Sequence, residues 1–172
     1  MTKLQLGVDP GTTESAYVLY DKETKQVDEF GKIPNEELLA KIHSWRFEQE
    51  LDADFAIEMI ASYGMPVGKT TFETVLWLGR FIEAWVQYTG ASPVRKIYRK
   101  TDTCMHMCHT ARAKDANITA AICDRYGGNM KVAKGTKKDP GPLFGFSGDV
   151  WQAMGVAITA AETKADEANL VR

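Results

Sequence analysis

No stretch of this 172-residue chain comes near the roughly 20 consecutive apolar residues that a membrane-spanning helix needs, which points away from a membrane protein. A basic-then-apolar leader is also missing at the N-terminus, so the expected location is the cytoplasm. Cysteine is scarce and odd in number, at three, which fits reduced thiols better than a disulfide framework. Cys104, His106, Cys108 and His109 crowd one segment, but a structural zinc site wants two well-separated ligand pairs and no second pair exists; packing is the simpler role. No internal repeat and no domain boundary interrupt the chain, so 1–172 reads as one domain, long enough for a real core.

Charge is balanced in total, with a net of −2, but not along the chain. Residues 1–94 carry 8 basic and 15 acidic side chains, whereas residues 95–140 carry 11 basic and 4 acidic. A basic middle section on an otherwise acidic chain fits a polyanionic partner engaged by one face, although a solvated lysine-rich loop has the same composition.

Short apolar runs open the chain. Leu4, Leu6 and Val8 alternate with polar or small residues as a strand requires, Pro10-Gly11 makes a tight turn, and 15–20 reads as the returning strand. A third strand is expected over 26–33, a less apolar run suited to a sheet edge, then a helix from Pro34 to about Glu50 with early acids. Further strands are expected over 54–60 and 93–98, and helices over about 70–88, 100–110, 113–126 and 149–162. The 70–88 helix is apolar on more than one side: Phe72, Val75, Leu76, Ile82 and Val86 form one stripe, with Trp77, Leu78, Phe81 and Trp85 largely off it. Such a helix is either wholly buried or meets a second subunit, and a homodimer is the expectation. Residues 129–148, with four lysines and Phe144 and Phe146, are expected to form a mobile basic loop that tracks a phosphate backbone and stacks on bases.

Three acids stand out. Asp9 ends the first strand beside a tight turn, where it either opens the turn or is held rigidly for a metal or phosphate. Glu58 interrupts a buried-strand pattern and either faces solvent or faces Asp9 from a neighbouring strand. Asp149 begins the last helix, as a cap or as a site residue. Three carboxylates from three elements suit a two-magnesium phosphodiester-cleavage site, in which ions about 3.5–4 Å apart clamp the attacking and leaving oxygens. Gly64 to Gly68 leaves three residues where a phosphate-binding Walker loop needs four, so Lys69 and the helix start are expected to grip a backbone phosphate instead.

Read in order, 6–11 (Leu-Gly-Val-Asp-Pro-Gly), 56–58 (Ala-Ile-Glu), 114–118 (Lys-Asp-Ala-Asn-Ile) and 149–158 resemble the catalytic segments of the RuvC family of Holliday junction resolvases. The resemblance implies an α/β ribonuclease H-like fold, with a five-stranded mixed sheet flanked by helices. It also implies Mg²⁺-dependent resolution of branched DNA, chiefly four-way junctions, by paired nicks leaving 5′-phosphates, with Mn²⁺ an accepted substitute. Asp9 would bridge two ions, Glu58 and Asp149 would each hold one, and Lys69, Lys114, Lys137 and Lys138 would contact phosphates. The 135–141 segment looks most like phage-encoded relatives, which places the protein in a bacterial host's cytoplasm. One departure is Gln152, where the family pattern has a second acid three residues into the last helix; Asp115 is a conceivable fourth contributor. Two rivals remain: a junction-binding protein that does not cleave, and a sugar-kinase or actin-like ATPase, although those folds need two lobes and roughly twice this length.

Overall fold

The computed structural model describes residues 3–47, 51–88 and 90–172. Its centre is a mixed sheet in the order β3-β2-β1-β4-β5-β6. The strands are β1 Leu4–Asp9, β2 Glu14–Asp21, β3 Val27–Pro34, β4 Ala53–Met59, β5 Val94–Tyr98 and β6 Leu170–Val171. β1 runs antiparallel to β2 and parallel to β4, and β4 runs parallel to β5. β3 lies at the sheet edge, as its weaker apolar content implies. The sixth strand is an addition to the five expected: Val171 and Leu170 pair with Val94 and Arg95, and two residues are too few to leave a periodic signal.

Alternation along the strands sorts the side chains onto two faces. Leu6, Val8, Tyr17, Leu19, Phe55 and Ile57 face helices α1 (Asn35–Phe47) and α2 (Lys69–Val86) in one apolar core. Ala16, Val18 and Tyr20 face the other way, towards α4 (Asp115–Arg125) and α6 (Val150–Glu162). On that second face β1 contributes Gly7, and β4 contributes Ala56, packed with Ile97 and Val156. These small residues let α6 lie almost on the sheet backbone, so Val150 through Thr159 are all buried. A Cβ added to Gly7 would sit 2.5 Å from the Ala153 carbonyl oxygen and 2.7 Å from Ala157 N.

One of the two alternatives left open for α2 falls here, and one expectation needs correction. α2 is not buried all round: Leu78, Phe81 and Trp85 are in the core, whereas Phe72 and Leu76 are 64% and 65% exposed and Val75 is exposed beside them. The segment 129–148 is folded rather than a mobile loop. It holds a short helix, α5 (Met130–Lys134), capped by Asn129, whose side chain accepts a hydrogen bond from the Val132 N–H at 3.0 Å. Gly135 and Pro140 form an isolated bridge, and Leu143 and Phe146 are fully buried. Phe146 packs 4.5 Å from Phe30 and 5.1 Å from Trp151, ring centre to ring centre, so it is unavailable for base stacking. Its glycines and prolines mark turns, and two apolar anchors hold the turns down.

The 70–88 helix begins one residue earlier than expected, and the end expected near Glu50 for α1 lies outside the described residues. After β5 the chain makes one wide π-helical turn, Arg99–Thr103, before α3 (Cys104–Cys108), which ends at His109 in the left-handed conformation. Cys104, Cys108 and Cys123 are all free thiols. No helix among the described residues is long and apolar enough to cross a membrane.

Candidate active site

β1, β4 and β5 are parallel neighbours, and their C-terminal ends lie along one edge of the sheet, where open α/β sheets place ligands. Asp9 is the last residue of β1 and Glu58 the last but one of β4. Asp9 has the parity of Gly7, and Glu58 that of Ala56, so both carboxylates point to the face covered by α6. The solvent-facing alternative for Glu58 therefore fails: the face it shares with Ala56 carries a helix. Asp149 stands at the start of that helix, and its side chain makes no cap hydrogen bond, so capping is not its role either.

The turn after Asp9 is fixed by two buried polar side chains that the sequence did not single out. Ser15 Oγ donates to Asn35 Oδ1 at 2.6 Å and accepts from the Gly11 N–H at 3.1 Å. Asn35 Nδ2 donates to the Gly11 carbonyl at 3.0 Å. A closed set of satisfied buried bonds rigidifies its surroundings, here the Asp-Pro-Gly turn and the start of α1.

Electrostatics bind the acids into one site. Burial, and then the charges of Glu58 and Asp149, hold the Asp9 carboxyl well above its ordinary pKa, with Arg99 acting in the opposite direction. Burial also raises Glu58, again opposed by Arg99 and reinforced by Asp115. Each of the other acids has a cation. Lys32 Nζ lies 2.8 Å from Asp149 Oδ2, and Arg99 Nη1 lies 3.6 Å from Glu58 Oε2. Arg99 also bonds to Asp115 through Nη2 and donates to Gln152 Oε1 at 2.8 Å. At 3.6 Å the Glu58 contact is an ion pair without a hydrogen bond, and the buried Glu58 Oε2 has no hydrogen-bond partner.

Arg99 is the functional residue that sequence reasoning missed. A signal was present: it follows the third of three parallel strands, directly beside the one whose end carries Glu58 and one strand further from Asp9.

The other expected site residues fall in two groups. Lys114 immediately precedes α4, its N–H held by Asn117 Oδ1 at 2.8 Å, and adjoins Asp115 in the site. Lys69, at the start of α2, is exposed and pairs with Glu73 at 3.4 Å; Lys137 and Lys138 are exposed on the turn between Gly135 and Pro140. Among the described residues none of these lysines forms an ion pair with Asp9, Glu58 or Asp149.

As the side chains stand, no three His, Cys, Asp or Glu residues among those described are gathered tightly enough to grip one metal ion. Asp149 turns to Lys32 and Glu58 to Arg99, which is how like charges settle when each can reach a cation of its own. The donor set nevertheless fits a hard divalent cation. It consists of carboxylate oxygens only, one of them buried and unbonded, on three elements that meet at one edge.

No protein-family model matches the sequence, and no curated protein matches it. Solved structures do. A structure of Thermus thermophilus RuvC matches with a TM-score of 0.61 and 17% identity, covering 92% of this chain and 93% of that one. T. thermophilus RuvC in complex with Holliday junction substrate matches with a TM-score of 0.58 and 15% identity over 92% of each chain. Over 92% of its length the chain has the fold of these RuvC structures, a ribonuclease H-like α/β architecture.

Proposed function

We propose that this chain, as one RuvC-like domain, is a Mg²⁺-dependent endodeoxyribonuclease that resolves branched DNA, chiefly four-way junctions. The observation that carries the reading is the meeting of Asp9, Glu58 and Asp149, from two parallel strands and one helix, at one sheet edge. These three carboxylates would hold two Mg²⁺ ions, with Mn²⁺ able to take their place. Metal bound there would lower the pKa of a water and offset charge at the scissile phosphate.

The chain's own contribution is placement. The Ser15–Asn35 bonds fix the turn beyond Asp9, and the close seat of α6 on Gly7 fixes Asp149 relative to it. Asp9 and Glu58 are half-buried, which limits their contact with bulk water. Lys69, Lys114, Lys137 and Lys138 would contact phosphates, positioning the DNA without reading its sequence. The uncovered stripe of Phe72, Val75 and Leu76 on α2 would pair with a second copy about a two-fold axis, as two symmetric nicks leaving 5′-phosphates require.

Labelled four-way junction, three-way junction and duplex, incubated with and without Mg²⁺, test the reading. Wild type nicks the four-way junction only with Mg²⁺, and Asp9→Asn binds it but does not cut. A second reading, junction binding without cleavage, is favoured by Arg99 and Gln152 standing among the acids. It wins if wild type and variant bind alike and neither cuts.

A further inference from the structure

Arg99 is held in the site by contacts from three elements. β5 delivers it to the edge beside Glu58, which pairs in register with Ile97. The wide turn that follows is fastened by Asp102, whose carboxylate accepts the Tyr98 N–H at 2.7 Å, and this sets the direction in which Arg99 leaves the strand. Gln152, almost fully buried on α6, uses its amide oxygen to accept from Nη1, and Asp115 on α4 takes Nη2. Glu58 lies against the same guanidinium, with side-chain exposures of 13% for Glu58 and 23% for Arg99. The pairing of Lys32 with Asp149 is more open, at 43% and 52%, and exposed pairs contribute little.

A charge buried to this degree has to be compensated, and Arg99 compensates Glu58. The compensation is incomplete. The guanidinium spends its hydrogen bonds on Gln152 and Asp115 and leaves Glu58 Oε2 at 3.6 Å without one. That oxygen is thus a free donor to a metal, with a fixed positive charge beside it. Two cations drawn to one carboxylate repel each other, most strongly where water is excluded.

Building on the nuclease reading, we infer that Arg99 is a resident counter-cation that competes with divalent metal for Glu58 and is held in that position by Gln152. Metal on Glu58 requires the guanidinium to turn away towards Asp115, whose exposed carboxylate offers it a place. The neutral residue at position 152 is then part of the device: it anchors Arg99 without adding a further ligand. The site is kept closed by its own cation and opens as metal enters.

The test is calorimetric titration of Mn²⁺ into purified full-length protein, for wild type, Arg99→Ala, Arg99→Gln and Gln152→Leu, with thermal melts in EDTA to establish folding. Both Arg99 variants bind Mn²⁺ at least ten-fold more tightly than wild type. Gln152→Leu, which frees the guanidinium without removing its charge, gives a smaller gain of the same sign. Equal affinity in wild type and the Arg99 variants overturns the inference and leaves the metal site standing. Weaker binding in those variants also overturns it, because Arg99 would then orient Glu58 for metal. If neither wild type nor any folded variant binds Mn²⁺, the nuclease reading fails and this inference fails with it.

Discussion

Replacing Gly7 with alanine places a methyl group where α6 crosses β1. The new Cβ would lie 2.5 Å from the Ala153 carbonyl oxygen, 2.7 Å from Ala157 Cβ and 2.7 Å from Ala157 N. Two of these three atoms are backbone, so no rotamer change relieves the clash; either the helix moves off the sheet or the strand bends. Overpacking of this kind costs about 1–3 kcal/mol, and the lack of a side-chain escape puts Gly7→Ala near about 3 kcal/mol. For a chain of this size that is a fall in Tm of about 6–12 °C. Adding Ala157→Gly removes only the Cβ contact and introduces a helical glycine costing about 1 kcal/mol, so the double variant recovers little. Because α6 carries Asp149 at its start and β1 carries Asp9 two residues beyond Gly7, the shift also misplaces the acids. Nicking by the folded variant at 20 °C falls at least ten-fold, given that misplacement by about 1 Å can cost about 10²-fold. Urea denaturation followed by circular dichroism, with a nicking assay on the same preparation, measures both effects. A loss below about 1 kcal/mol would refute the close seating of α6.

Three further predictions concern the turn beside Asp9, the far end of the sheet and the exposed face of α2. Ser15→Ala removes the donor to Asn35, which is buried, and the acceptor for the half-buried Gly11 N–H, and should cost about 1–3 kcal/mol in denaturant unfolding; an unchanged midpoint would mean that water replaces the hydroxyl. Asp21 accepts from the Thr24 and Glu23 N–H groups and from Lys3, which lower its pKa from 3.8 to about 2. A depressed carboxylate contributes stability that is present above its unfolded pKa and lost as pH falls through the folded one. Asp21→Asn should therefore flatten the pH dependence of stability between about pH 4 and 2, and an unchanged acid limb would count against these bonds. Leu76→Glu puts a charge on the exposed stripe of α2 and should leave a monomer by light scattering, while unfolding at the same temperature; a dimer that survives it is built on another face.

Much of the fold follows from local patterns that the tertiary structure leaves in place. The alternation of Leu4, Leu6 and Val8, the Pro10-Gly11 turn and the helical spacing of Ile118 and Ile122 each specify an element directly. Asp9 and Glu58 stand out for a related reason, because a carboxylate at a strand end or inside an apolar run conflicts with its neighbours, whereas Asp149 at a helix start does not. Phe146 runs against its sequence context: its setting of glycine, proline and lysine has the composition of a solvated loop, yet its ring is core. The pairing of Ser15 with Asn35 spans 20 residues, and that of Arg99 with Gln152 spans 53. No local pattern encodes either partner. Arg99 in particular looked like one charge among many in a basic stretch, until the register of β4 and β5 set it beside Glu58.

The central claim is that Asp9, Glu58 and Asp149 close on divalent metal at the edge of the sheet. Crystals of the wild-type protein soaked in Mn²⁺ and measured at the manganese absorption edge test it directly. The account predicts anomalous density between Asp9 and its two partner carboxylates, with the Arg99 guanidinium turned away from Glu58. Manganese absent from Asp9, with Arg99 still against Glu58 and Lys32 still on Asp149, would contradict it.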